Sequence, residues 1–298
     1  MQYSLFFINF AFRLKLVLMS KNYIIVFIGF CLMTSCAKDK MPELIELDQE
    51  LEGLIKRASP TGDKDFYILP SETDLTQIPQ DQKNLLTEDR VELGKLLFFE
   101  TGFGMGAVKE AGMGTYSCAT CHIPDAGFRP GSFQGIADGG EGFGLNGEDR
   151  RRHSDYIESE LDVQSARPLS LANVAFVKNT FWNGQFGSRG VNEGTEDVWD
   201  LREDTQRNRL GFEAIETQNF DGIESHRYTI TPELIESYGY KDLFDKAYPG
   251  MEESLRYSNH AGSLALSTYI RTILTNRAPF QYWLKGENAA LNAAQKRG

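Results

Sequence analysis

The sequence predicts a mainly α chain with long irregular loops, and three observations carry that prediction. Alternation of apolar and polar residues never runs long enough for a sheet. Apolar residues instead recur at three- and four-residue steps, as in Leu266, Ile270, Ile273 and Leu274 ahead of Arg277; this sets an apolar stripe against a core and turns Arg271 outward. Helix-start chemistry also recurs. Thr87 precedes Glu88 and Asp89, and Thr231-Pro232-Glu233 reads as cap, first-position proline and first-turn acid, with a further short helix expected over Asp242-Leu243-Phe244-Asp245-Lys246.

The 298 residues suffice for one large or two modest domains. Lys and Arg number 31 against 42 Asp and Glu, a net charge of −11, which excludes nucleic acid as a partner and would attract a small basic protein. Four cysteines are too few for a disulfide scaffold, so each is explained by its neighbours.

In chain order, residues 1–18 hold an apolar, basic segment (Phe6, Phe7, Ile8, Arg13, Lys15) that no export signal needs, and Met19 reads as the true start. Residues 19–35 read as a lipoprotein signal peptide: Lys21, then the apolar run Tyr23–Met33, too short to span a bilayer, then small Thr34 and Ser35 before Cys36. Cys36 is the expected acylated N-terminus, which puts the protein in the periplasm or cell envelope, held to the membrane by a lipid anchor. The bland alternative is an ordinary secretory signal. Removal of residues 1–35 takes away three cations and no acid, so the mature chain is more acidic still. Residues 36–82, punctuated by Pro42, Pro60, Pro70 and Pro79, read as tether and lead-in with a short helix around Glu43–Arg57.

Cys118-Ala119-Thr120-Cys121-His122 is the c-type haem attachment motif. Two residues between the cysteines set their reach across the porphyrin edge on one helical turn, and the next residue, His122, becomes the proximal iron ligand. A thioredoxin-like redox pair would want a βαβ setting and a zinc site a second Cys or His pair; the sequence shows neither. The fold class is thereby narrowed to a mainly α, cytochrome c-like haem domain over 83–285. Gly127–Gly147, with eight glycines, is read as a loop folding over the haem edge. His153, His226, His260, Met105, Met113 and Met251 are candidates for a second axial ligand, each more commonly a plain surface or core residue.

Around this motif the chain resembles the bacterial di-haem cytochrome c peroxidase family, which includes the MauG-type enzymes. The residues that carry the resemblance are Leu93-Gly94-Lys95-Leu96-Leu97-Phe98-Phe99 before the motif, Ser170–Phe176 and Phe181-Trp182-Asn183-Gly184 after it, and Tyr269-Ile270-Arg271-Thr272-Ile273-Leu274 through Ala278-Pro279-Phe280. The match runs from about Asp81 to Gly298.

The resemblance implies reduction of hydrogen peroxide to water, with electrons from a small cytochrome or similar donor. It implies a distal carboxylate that moves the peroxide proton; Leu210–Gln218 stands in that place, with Glu216 first choice and Glu213 second, and a solvent-facing helix Glu as the bland reading. An insertion around Val191–Arg207 lengthens the spacing from Trp182. Trp182 matches the tryptophan suited to carry electrons between haems, or else it packs in the core. Asn183 and Gln185 replace the usual Asp and Arg of that turn. The displaceable distal histidine falls on His153, farther upstream than usual. Arg167-Pro168-Leu169-Ser170 departs from the family run and loses the Asn of its calcium site, which argues against calcium. His226 is read as structural, or as approaching the haem propionates with Arg227.

The family has a second Cys-x-x-Cys-His, whereas this sequence ends at Gln295-Lys296-Arg297-Gly298. Residues 286–298 are accordingly expected to begin a second haem domain absent from the chain, with one haem c here and a second in the full-length protein. The alternatives are a mono-haem electron-transfer lipoprotein, MauG-like oxidation of a protein substrate, and a binding lipoprotein without haem.

Overall fold

The computed structural model describes residues 41–131, 135–164 and 167–298. Its main helices are α1 (Met41–Ala58), α2 (Glu88–Phe99), α3 (Cys118–Cys121), α4 (Ala214–Ser225), α5 (Pro232–Ser237), α6 (Lys241–Ala247), α7 (Asn259–Arg271) and α8 (Ala293–Arg297). The fold is mainly α, as the sequence predicts. The expected signal peptide, the start at Met19 and the acylation site Cys36 lie outside the described residues. Among the described residues no helix is long and apolar enough to cross a membrane.

Two compact units form. The first joins the described residues up to Tyr67 with Tyr282–Gly298. Within it, α1 carries Glu43 in its first turn and Lys56 and Arg57 in its last, which suits the helix dipole. Asp48 of α1 accepts from Trp283 Nε1 at 2.7 Å and pairs with the buried Lys296 Nζ of α8 at 2.8 Å. The charge of Lys296 is thus compensated where it is withdrawn from water.

The second unit, Ile68–Gln281, contains the large core. Helix α7 crosses α2 and α4. Leu93, Leu97 and Phe98 of α2 meet Leu264, Ala265 and Ile270 of α7 and Ile215, Phe220 and Ile223 of α4, and Phe98 lies edge-on to Tyr269 with centroids 5.2 Å apart. The expected caps form: the Thr87 hydroxyl accepts the Arg90 N–H and the Thr231 hydroxyl that of Leu234. The helix expected over Asp242–Lys246 is α6. Two-residue strands β1 (Gly140–Glu141) and β2 (Arg151–Arg152) pair antiparallel at the end of the glycine-rich stretch, too short to leave a periodic signal.

One expectation is reversed. Arg271 does not face out: every residue from Ala261 to Arg271 is buried, and Arg271 is 1% exposed. Its side chain reaches α4, where Glu216 accepts bidentately (Nη2–Oε2 2.7 Å, Nε–Oε1 3.1 Å) and Glu213 accepts from Nη2 at 3.1 Å. Burial of the cation is possible because the Glu216 carboxylate is buried with it.

Candidate functional site

Cys118 and Cys121 sit on the single turn α3, packed against the large core on its α2 side. Thr120 Oγ1 accepts the Ser117 N–H at 2.9 Å at the start of the turn, and the His122 N–H donates to the Cys118 carbonyl at 2.9 Å at its end. Both thiols are free, and burial pushes each up to about 12. A redox pair of the thioredoxin kind needs the opposite shift, so this turn presents protonated thiols.

His122 is oriented by its own loop. Its Nδ1 lies 3.0 Å from the Phe128 carbonyl, so the ring donates there and leaves Nε2 without a partner among the described residues. Burial lowers its pKa and outweighs the Phe128 hydrogen bond, which keeps the ring neutral. The carbonyl is placed by a tight closure: Phe128 N–H returns to the Ile123 carbonyl at 2.8 Å, Ile123 bridges to Arg129, and Phe128 takes a left-handed φ of 57°. That conformation is costly for an aromatic residue and is held by the surrounding bonds. Gly135 completes the contact, because a Cβ there would fall on the Cys121 sulfur and 3.0 Å from its Cα.

Two protonated thiols on one turn and a neutral imidazole with a free Nε2 are the donor set of a covalently attached haem. Among the described residues no cluster of His, Cys, Asp and Glu has the form of a separate metal site.

Polar groups absent from the sequence reading surround the turn. The Arg150 guanidinium donates to the carbonyls of Thr115, Ile136, Ala137 and Gly142 at 2.6–3.0 Å, clamping the stretch before the turn to the glycine-rich loop. Asp138 is fully buried and accepts from Tyr156 Oη at 2.7 Å, from the Val108 N–H at 2.8 Å and from Arg227. Asp162 holds His226 Nδ1 at 2.8 Å.

The other sequence candidates lie elsewhere. Glu216 is fully buried, and both its oxygens are taken by Arg271, with Asn84 Nδ2 adding a contact at 3.3 Å. Glu213, 34% exposed, shares the same arginine. Among the described residues no hydrogen bond joins this cluster to Cys118–His122. His153 is set in the β1–β2 region: its N–H donates to Gly139, its Nδ1 accepts from Asp155 N–H, and its ring lies edge-on to Tyr156. His260 rests on Phe220.

Trp182 does not pack in the core. It is 103% exposed, at the tip of the Thr180–Phe186 turn, while Phe186 is buried, with its ring against Phe181. The turn is held by amides in place of a salt bridge: Asn183 donates to Gln185, and Gln185 to Asp204, each at 2.8 Å. Trp182→Ala is therefore expected to change stability by no more than about 0.5 kcal/mol, measured by denaturant unfolding; a loss several times larger would return Trp182 to a packing role.

The family described as di-haem cytochrome c peroxidase matches residues 88–289. The methylamine utilization protein MauG of Methylorubrum extorquens is 29% identical over 224 residues, covering 74% of this chain and 48% of its own length. The cytochrome c551 peroxidase of Pseudomonas aeruginosa is 25% identical over 254 residues, covering 82% and 58%. A crystal structure of a MauG-like protein associated with microbial copper homeostasis aligns at 18% identity and a TM-score of 0.44, over 78% of this chain and 51% of that one. The chain spans about half the length of the curated relatives it matches.

Proposed function

The chain belongs to the di-haem cytochrome c peroxidase family, and from that premise we propose that it attaches one haem c at Cys118, Cys121 and His122 and reduces hydrogen peroxide to water with electrons from a small cytochrome or similar donor. The observation that supports this reading is the α3 turn, with two protonated thiols and an oriented, neutral His122. Export and a lipid anchor at Cys36 belong to the same reading, as does an acidic surface that draws a basic donor.

Cys118 Sγ and Cys121 Sγ would form the thioethers, and His122 Nε2 would be the proximal ligand. When bound, the haem supplies the redox chemistry, in which peroxide, two protons and two electrons give two molecules of water. The residues supply the rest. A carboxylate moves the proton from the inner to the outer peroxide oxygen, a role for Glu216 first and Glu213 second, which requires the carboxylate to release one of its Arg271 bonds. Trp182 offers an exposed indole as an entry point for electrons.

The test is expression with a haem-maturation system. The chain is expected to retain haem under denaturing conditions and to consume peroxide with a reduced cytochrome, and Cys118→Ser with Cys121→Ser is expected to abolish both. A haem-bearing chain that accepts electrons and ignores peroxide is an electron carrier and overturns the peroxidase reading.

A further inference from the structure

His226 is the second histidine with one ring nitrogen fixed by the fold and the other left bare. Nδ1 is 2.8 Å from Asp162 Oδ2; the imidazole is 41% accessible, whereas the carboxylate side chain is 7% accessible. Nε2 meets no partner among the described residues. Two straps bring this pair to the α3 turn. The Arg227 carbonyl accepts from Tyr116 Oη at 2.8 Å and from the Gly106 N–H at 3.0 Å, which fastens the residue after His226 two positions ahead of Cys118. On the other side, Asp162 exchanges backbone bonds with Ala137 and Asp138, and Ala137 is held by the same Arg150 that holds Thr115. The electrostatics follow the straps: the charge of His226 acts on His122, and that of Asp162 on Cys121.

We propose that the His226–Asp162 pair is the proton-exchanging group that couples protonation to electron uptake at the Cys118–His122 site. This rests on haem attachment as read above. One-electron reduction there removes one positive charge near His226, the imidazolium becomes more favourable, and His226 Nε2 takes up one proton from solvent through its accessible edge. Electron and proton enter together, so the net charge of the site stays constant.

Among the described residues, the charged groups that act on His226 are Asp162, Asp221 of α4 and Arg227, and His226 in turn acts on His122. Burial pulls the pKa of His226 down, but the Asp162 hydrogen bond and charge, aided by Asp221, outweigh it, and the net direction is upward from 6.5. The pair's contribution to stability is therefore fully present below pH 6.5 and is lost as pH rises through the raised folded value.

The experiment is a potentiometric titration of the haem-bearing chain from pH 5 to 9. The midpoint potential is expected to fall with pH by up to about 59 mV per unit, the tenfold limit of one proton per electron. His226→Gln is expected to flatten the slope, and Asp162→Asn to move the sloping range to lower pH. A slope that survives intact in His226→Gln overturns the coupling. Redox-difference infrared spectroscopy of the unmodified protein, lacking any imidazolium signal on reduction, overturns it independently of how the variants fold. A chain without covalent haem overturns both readings, whereas a haem-bearing chain with a pH-independent potential overturns this one alone.

Discussion

Arg271→Met is expected to destabilise the protein by about 3–5 kcal/mol, because it strips the buried Glu216 carboxyl of its counter-charge and of two hydrogen bonds, and burial already pushes its pKa upward with Arg271 in place. The two side chains are 1% and 0% exposed, and Glu213, itself an anion, offers Glu216 no replacement counter-charge. Denaturant unfolding followed by circular dichroism reads the loss, and a shift below about 1 kcal/mol would mean that water reaches the pair. The double variant Arg271→Met, Glu216→Leu is expected to recover most of the loss, since an apolar pair of similar volume removes the desolvation cost of both ions. Glu216→Gln separates structure from chemistry. It keeps the shape but gives up one acceptor, because an amide NH2 cannot accept from Arg271 as the second carboxylate oxygen does; a fall in stability with peroxide turnover unchanged assigns Glu216 to packing, whereas lost turnover in a folded, haem-bearing protein supports the proton-moving role.

What could be read from sequence depended on how far apart the interacting residues lie. The α3 turn was legible because five consecutive residues hold its chemistry. Its support was not: His122 is oriented by the Phe128 carbonyl, a group every residue carries, and the Asp162–His226 pair closes across 64 positions. Nothing in local spacing marks either.

Arg271 failed for a related reason. Helical periodicity separates a wet face from a dry one, but α7 is enclosed on all sides, so periodicity has no outward direction to report. A charge there is decided by Glu216, 55 positions away. The core-packing alternative for Trp182 failed in the opposite sense, since residue type favours burial while the left-handed φ of 64° at Phe181 leaves Phe186 to fill the core and the indole outside.

Gly94 shows the same limit in a backbone position, and its replacement is the sharpest test of the helix crossing. In isolation Gly94→Ala should stabilise α2 by about 1 kcal/mol through helix propensity. In this fold the new Cβ falls on the Ala265 carbonyl oxygen, well inside contact distance, and 3.0 Å from Tyr269 Cβ. Neither group is the movable end of a side chain, so α2 and α7 have to separate. Separation loosens the Phe98–Tyr269 contact and the fully buried Leu93 and Leu97. Overpacking of this kind costs about 1–3 kcal/mol or more, so Gly94→Ala is expected to lower stability by about 2 kcal/mol net and Gly94→Val by more. Gly222 on α4 is the control: a Cβ there meets nothing within 4 Å, and Gly222→Ala is expected to stabilise by up to about 1 kcal/mol. The two unfolding midpoints should move in opposite directions. If both rise, α2 and α7 do not cross at Gly94, and the α3 turn loses the wall against which it is set.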